Sequence, residues 1–112
     1  MLLTTQDNFS EYDIIETLGV VKGNTVRARH AGKDILAAFR NVVGGEIEEY
    51  TKLLAESREQ SIDRMMEAAK NVGADGIACI RFTTSSIMQS AAEMFVFGTA
   101  VKLKKKKLSK EN

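Results

Sequence analysis

The sequence predicts an α+β fold in which one long helix lies on a small sheet. Three observations predict it. Ile47, Tyr50, Leu53, Leu54, Ile62, Met65, Met66, Ala69 and Val72 recur at intervals of three and four, with Ser57 and Ser61 in the same stripe. That is the spacing of one helix face. The stretches Tyr12–Val21, Ile77–Met88 and Glu93–Leu103 are rich in strand formers. A chain of 112 residues is long enough for one domain with one core.

Taken in order, Leu3–Thr5 is expected to add a brief strand and Tyr12–Val21 a longer one. Gly23-Asn24 is a turn or bulge signal. Thr25–Arg29 then either continues the strand past a kink or returns as a hairpin, and the sequence leaves both open. Lys33–Val43 reads as a short helix with Ile35, Leu36, Phe39, Val42 and Val43 on one face. Gly44-Gly45 ends it and frees the backbone to turn into the next helix. A phosphate cradle is a poorer reading of those glycines. The lysine and hydroxyl of a P-loop are absent, and Glu46, Glu48 and Glu49 follow.

The long helix spans Glu46–Val72. Acids crowd its first turn and Lys70 sits in its last, as the helix dipole favours. Gly73 follows as a left-handed cap. After Ala74-Asp75-Gly76 come two strands joined by a loop at Gln89–Ala92. In the first, alternation puts Ile77, Cys79, Arg81 and Thr83 on one face. Ala78, Ile80 and Phe82 share the other, beneath the helix. In the last strand Phe95, Phe97, Val101 and Leu103 oppose Met94, Val96 and Ala100. Both faces are apolar, so both need cover. One helical layer covers one of them. The economical cover for the other is a second copy of the chain.

Composition narrows the function classes. Hydrophobic residues make up 44% and charged residues 28%, which argues against disorder except at the ends. No apolar run approaches the length of a membrane span. The N-terminus lacks a basic region followed by a hydrophobic one, so no signal peptide is expected. A single cysteine, Cys79, makes no intrachain disulfide. These features together predict a cytoplasmic protein. The net charge of +1 hides an asymmetry: residues 102–112 hold six lysines and Glu111, a net of +5, which leaves −4 for the body. An acidic body argues against a general nucleic-acid binder. The expected organisation is one domain over 1–102 and a flexible lysine-rich tail over 103–112.

Few residues invite chemistry. Cys79 lies between Ala78 and Ile80, where an unpaired cysteine is usually a small core residue. Its functional reading is a soft ligand. One thiolate cannot hold a metal ion, but a ring of copies would bring several together, and thiolates select soft ions. Arg81, two residues on, would bring positive charge. His30 is the only histidine, is expected before the first helix, and lies too far from Cys79 for a recognised metal spacing. Thr83, Thr84, Ser85 and Ser86 offer hydroxyls, but no nucleophile motif surrounds them and no histidine–carboxylate pair is placed to serve them. No catalytic residue and no cofactor is assigned, and the chain is read as a non-enzyme. The tail from Lys104 to Lys107, with Lys102 and Lys110, reads as a solubilising end. Its sharper alternative is a basic display for an anionic partner, membrane surface or nucleic acid, multiplied by copy number.

Several segments in a fixed order carry a family resemblance: Gly19-Val20-Val21-Lys22-Gly23, Phe39-Arg40-Asn41-Val42-Val43-Gly44-Gly45 with Tyr50, Gly73-Ala74-Asp75, and Gly98-Thr99-Ala100-Val101. From about Thr4 to Leu103 the chain resembles the YbjQ-like family of small bacterial and archaeal proteins, labelled as candidate heavy-metal binders. The resemblance implies a dodecin-like subunit in a closed homopentamer. On the strand after Gly73-Ala74-Asp75, where similar proteins carry acids, this sequence has Arg81, Thr83 and Ser85. The expected function is a homo-oligomeric binding or storage module. Its cargo would be a soft ion, a heavy metal or selenium species, or a small ligand at copies of Cys79.

Overall fold

The structure is a computed structural model that describes residues 1–28, 47–88 and 91–107. Its elements are β1 (Leu2–Leu3), β2 (Tyr12–Ala28), α1 (Ile47–Asn71), β3 (Gly76–Met88) and β4 (Ala91–Lys105). Among the described residues they form a mixed α+β fold, one helix on a four-stranded sheet of order β1-β3-β4-β2. The expected helix at Lys33–Val43, the Gly44-Gly45 joint and His30 lie outside the described residues.

β4 pairs antiparallel with β2 on one side and with β3 on the other, and β1 runs parallel to β3. β2 does not turn back at Gly23-Asn24. It runs unbroken through Thr25 to Ala28, and the Gly23-Asn24 stretch is in regular register with Val96 and Phe95. Its irregularities come earlier, between Ile14 and Glu16 and between Thr17 and Gly19. The loop between β3 and β4 is also tighter than expected, since Ala91 and Ala92 already pair with Met88 and Ser86.

α1 matches the periodic stripe closely. Ser57, Ser61, Met65 and Ala69, each four residues apart, are its buried seam. Val72, expected on that stripe, is exposed, because the helix has already ended at Asn71. The end is a Schellman cap: the Gly73 amide donates to Lys70 O and the Ala74 amide to Ala69 O, both at 3.0 Å, with Gly73 at φ +79°.

The main core lies between α1 and the sheet. Met65 and Ala69 pack with Val21, Ile77, Ile80, Val96 and Ala100. Each of the larger fully buried side chains stabilises the fold by about 1.5–3 kcal/mol. A polar seam runs beside it. Thr25 Oγ1 lies 2.7 Å from Ser61 Oγ, which lies 3.1 Å from the Met94 carbonyl oxygen. Each hydroxyl has one proton. The Ser57 carbonyl oxygen, 2.9 Å from both, is a further acceptor for those two protons. A second, smaller cluster of Phe9, Ala78 and Val101 sits on the opposite face. Both faces of β4 are therefore apolar in the fold, with Met94, Val96 and Ala100 on the helix side.

β4 continues through Leu103, Lys104 and Lys105, which the charge pattern placed in the tail. The register explains why. Asp13 stands opposite Lys104 and Glu16 opposite Lys102, and opposite charges across an antiparallel pair stabilise it. The Leu103 amide also donates to Asp75 Oδ2 at 2.9 Å. Deleting Lys106–Asn112 removes the Lys106 amide bond to Glu11 O, 3.0 Å long, and is expected to lower the thermal midpoint by no more than about 4 °C, the effect of one hydrogen bond of about 1 kcal/mol. Deleting from Leu103 should lower it distinctly. Equal midpoints for the two truncations, read by circular dichroism, would refute the assignment of Leu103–Lys105 to the sheet.

Candidate functional site

Cys79 is the one side chain that the sequence singled out for chemistry. β3 breaks its pairing there. Ala78 is opposite Thr99 and Arg81 is opposite Phe97, so Cys79 and Ile80 together face Gly98. Two residues against one is a β-bulge. The first of them, Cys79, takes φ +57° and is the only non-glycine residue with positive φ among those described.

The bulge breaks the alternation expected along β3. Cys79 does point away from α1, but it does so with Ala78, packed near Phe9, Tyr12, Val101 and Leu103. Ile77, expected beside Cys79, is instead in the core beneath the helix with Ile80. The physical reason is the extra residue, which rotates everything before it by one position relative to everything after. Gly98 permits the crossing. A Cβ there would come within 2.6 Å of Ile77 Cγ2 and 3.0 Å of the Ala78 carbonyl oxygen. A glycine inside a strand is the one sequence signal that could have announced the bulge.

The N-terminal segment straps this site. The Cys79 amide donates to Gln6 O at 2.9 Å and the Ile80 amide to Thr4 O at 3.1 Å. Phe9 is buried against the same cluster. Arg81 Nη1 donates to Thr5 O at 2.9 Å and Ile80 O at 2.8 Å. Its guanidinium is thus held on backbone carbonyls. Cys79 itself is a free thiol, half-buried.

The donor set of one subunit is sparse. Among the described residues no three of His, Cys, Asp and Glu come together. A soft metal ion needs about four ligands in a structural site, so one subunit's described residues do not make one. The hydroxyls of Thr83 and Ser85 are exposed on β3, and Thr84 Oγ1 lies 3.3 Å from Met94 Sδ. No described helix is long and apolar enough to cross a membrane.

A family profile described as "Putative heavy-metal-binding", YbjQ, matches residues 1–104. The chain belongs to the YbjQ family. Other members are the UPF0145 proteins of bacteria and archaea. The chain is 55% identical to that of Pseudothermotoga lettingae, covering 94% of this chain and 99% of the relative. It is 50% identical to that of Thermosipho africanus, covering 94% and 97%, and 51% identical to that of Archaeoglobus fulgidus, covering 93% and 96%. A crystal structure of a DUF74-family protein of unknown function from Pediococcus pentosaceus shares the fold. Its TM-score is 0.65 at 15% identity, over 93% of this YbjQ chain and 98% of that one.

The strained backbone at Cys79 gives a direct test of the bulge. A small apolar strand position would accept valine. At φ +57° a β-branched side chain clashes with its own backbone, at a cost of 1–3 kcal/mol. Cys79→Val is expected to lose about 2 kcal/mol in urea unfolding, and Cys79→Gly about 1 kcal/mol or less. If valine is tolerated better than glycine, Cys79 is an ordinary strand residue.

Proposed function

We propose that the chain assembles into a closed homo-oligomer, a pentamer by its family resemblance, that takes a soft ion or small ligand at symmetry-related copies of Cys79. The observation that carries this reading is the pairing of a half-buried free thiol with the absence of any three-donor cluster among the described residues of one subunit. Symmetry-related copies of Cys79 would supply the further ligands that the described residues of one subunit do not bring together. The family description points the same way. The apolar face of β4 turned away from α1, where Phe95 and Phe97 stand with ring centroids 5.6 Å apart, supports association of copies. A working thiol that must stay reduced suits the cytosol. The alternative, a scaffold displaying basic tails, has less to recommend it. Lys102 and Lys104 belong to β4, opposite Glu16 and Asp13 of β2, so part of the lysine run is paired strand and not a free tail.

Native mass spectrometry of untagged protein tests the reading, with Cys79→Ser as control. The expected result is a multiple of the subunit mass carrying a ligand that the variant loses, and rapid thiol labelling of the intact assembly. A monomer at micromolar concentration overturns the oligomer. A thiol that labels only after denaturation, with ligand retention unchanged in the variant, overturns the soft-ion site.

A further inference from the structure

The first ten residues form a strap along β3. β1 runs parallel to β3, with the Leu2 amide donating to Asp75 O and the Thr4 amide to Ile77 O. Beyond β1 the strap is fastened at the bulge. In a regular strand consecutive amides point to opposite edges. Here the Cys79 and Ile80 amides both donate to the strap, to Gln6 O and Thr4 O. Thr4 therefore reaches from Ile77 O to the Ile80 amide, one residue more than regular parallel pairing spans. The strap holds from one side the same bulge that Gly98 admits from the other.

Few buried side chains hold it down. Met1, Leu2 and Leu3 are exposed, and so are Thr5 to Asn8. Phe9 is the one residue of the ten that is buried. It packs with Ala78, Val101 and Cys79. Its ring lies so near Gly76 that a Cβ there would come within 3.2 Å of Phe9 Cζ. The main core, between α1 and the sheet, includes none of these ten residues. A segment tied by backbone bonds of mostly exposed residues and one aromatic anchor belongs to the low end of local stability. Lifting it undoes the anchor and the bonds at the bulge but leaves α1 seated.

We infer that residues 1–10 are a latch that opens as one unit while the rest of the subunit stays folded, and that its opening admits reagents and ligands to Cys79. Three contacts couple the latch to the thiol. Phe9 packs against Cys79, whose thiol is half-buried when the latch is closed. The Cys79 amide is itself bonded to the latch. A non-glycine residue at φ +57° keeps that backbone only while its surroundings impose it, and Gln6 O and Thr4 O are part of those surroundings. Arg81 is the third. Its Nη1 donates to Thr5 O, so an open latch also frees a guanidinium two residues from the thiol. The biological use of the latch rests on the soft-ion reading above, whereas its motion requires no ligand.

The test is amide hydrogen exchange on the full chain, resolved by residue, with iodoacetamide as the thiol probe. The Cys79 and Ile80 amides are expected to exchange well before those of Val96 and Ala100 in the core, and labelling of the native protein to follow the same opening. Phe9→Ala should speed both the two amides and the labelling by about a hundredfold, near the low end of what losing a buried phenylalanine implies. The Val96 and Ala100 amides should change far less. Phe9→Leu keeps an apolar anchor and should stay within about tenfold of wild type. If all four amides of the wild type exchange together, there is no separate latch, and that result stands even where Phe9→Ala fails to fold. Amides that quicken in Phe9→Ala without faster labelling overturn the control of the thiol. A native ligand that Cys79→Ser still retains defeats the soft-ion reading alone.

Discussion

Gly23→Ala is expected to destabilise the subunit by about 3 kcal/mol, at the upper end of what overpacking costs. Gly23 is where α1 comes closest to β2. An added Cβ would lie 2.5 Å from the Met65 amide nitrogen, 3.0 Å from Arg64 Cβ and closer still to the Ser61 carbonyl oxygen. Two of those are helix backbone atoms, so no side-chain rotation relieves the clash. The helix must lift, and its lifting opens the Thr25–Ser61–Met94 hydrogen bonds and loosens Met65 from the core. The same contact is held from the other side by Arg64 Nη1, which donates to Asn24 O at 2.6 Å. For a domain of this size the midpoint should fall by roughly 15 °C. Asn24→Ala, one residue on and exposed, is the control and should cost about 0.5 kcal/mol. A Gly23→Ala midpoint within about 4 °C of wild type, roughly 1 kcal/mol, would mean that the helix is not seated on this strand as described.

Val96→Asp is expected to abolish folding, whereas Phe97→Asp leaves a folded subunit. The two neighbours point to opposite faces. Val96 is 0% exposed and packs among Met65, Ala69, Ile77 and Ala100. A carboxylate there has no partner, and burying it costs several kcal/mol. Added to the lost packing, that is comparable to the whole stability of a small domain, about 5–15 kcal/mol. Phe97 is only half-buried on the face turned away from α1, where its ring leans on Phe95 at 35°. Losing that pair costs about 1 kcal/mol. Far-UV circular dichroism of the two purified variants decides the matter. A helical spectrum for Val96→Asp, or an unfolded one for Phe97→Asp, would reverse the assignment of the faces.

The contrast between these two sites separates what could be read locally from what could not. That β4 is apolar on both sides follows from its alternation alone, but which side meets the helix does not, because alternation has no sign. The helix is legible for the opposite reason. Ser57, Ser61, Met65 and Ala69 repeat within one segment, and the Gly73 cap is formed by the same chain a few residues away. A helix satisfies its backbone internally, so its pattern needs no partner to be recognised. Gly23 left the path of β2 open for a related reason. Glycine signals both turns and close contacts, and only the presence of α1 above it shows that the second applies.

Cys79 divides along the same line. The sequence by itself determined that there is one thiol and that it sits in a strand between two core-forming stretches. It also determined the long helix, its end, and the two-sided last strand. The tertiary structure alone decided that β2 runs straight through Gly23-Asn24 and that the lysine run begins as paired strand. It alone placed a bulge at Cys79 that sends Ile77 and Ile80 to the same side. Bulges, strand register and the seating of a helix on a glycine are relations between segments far apart in the chain. Their energy lies in contacts between those segments, which no single stretch of residues contains.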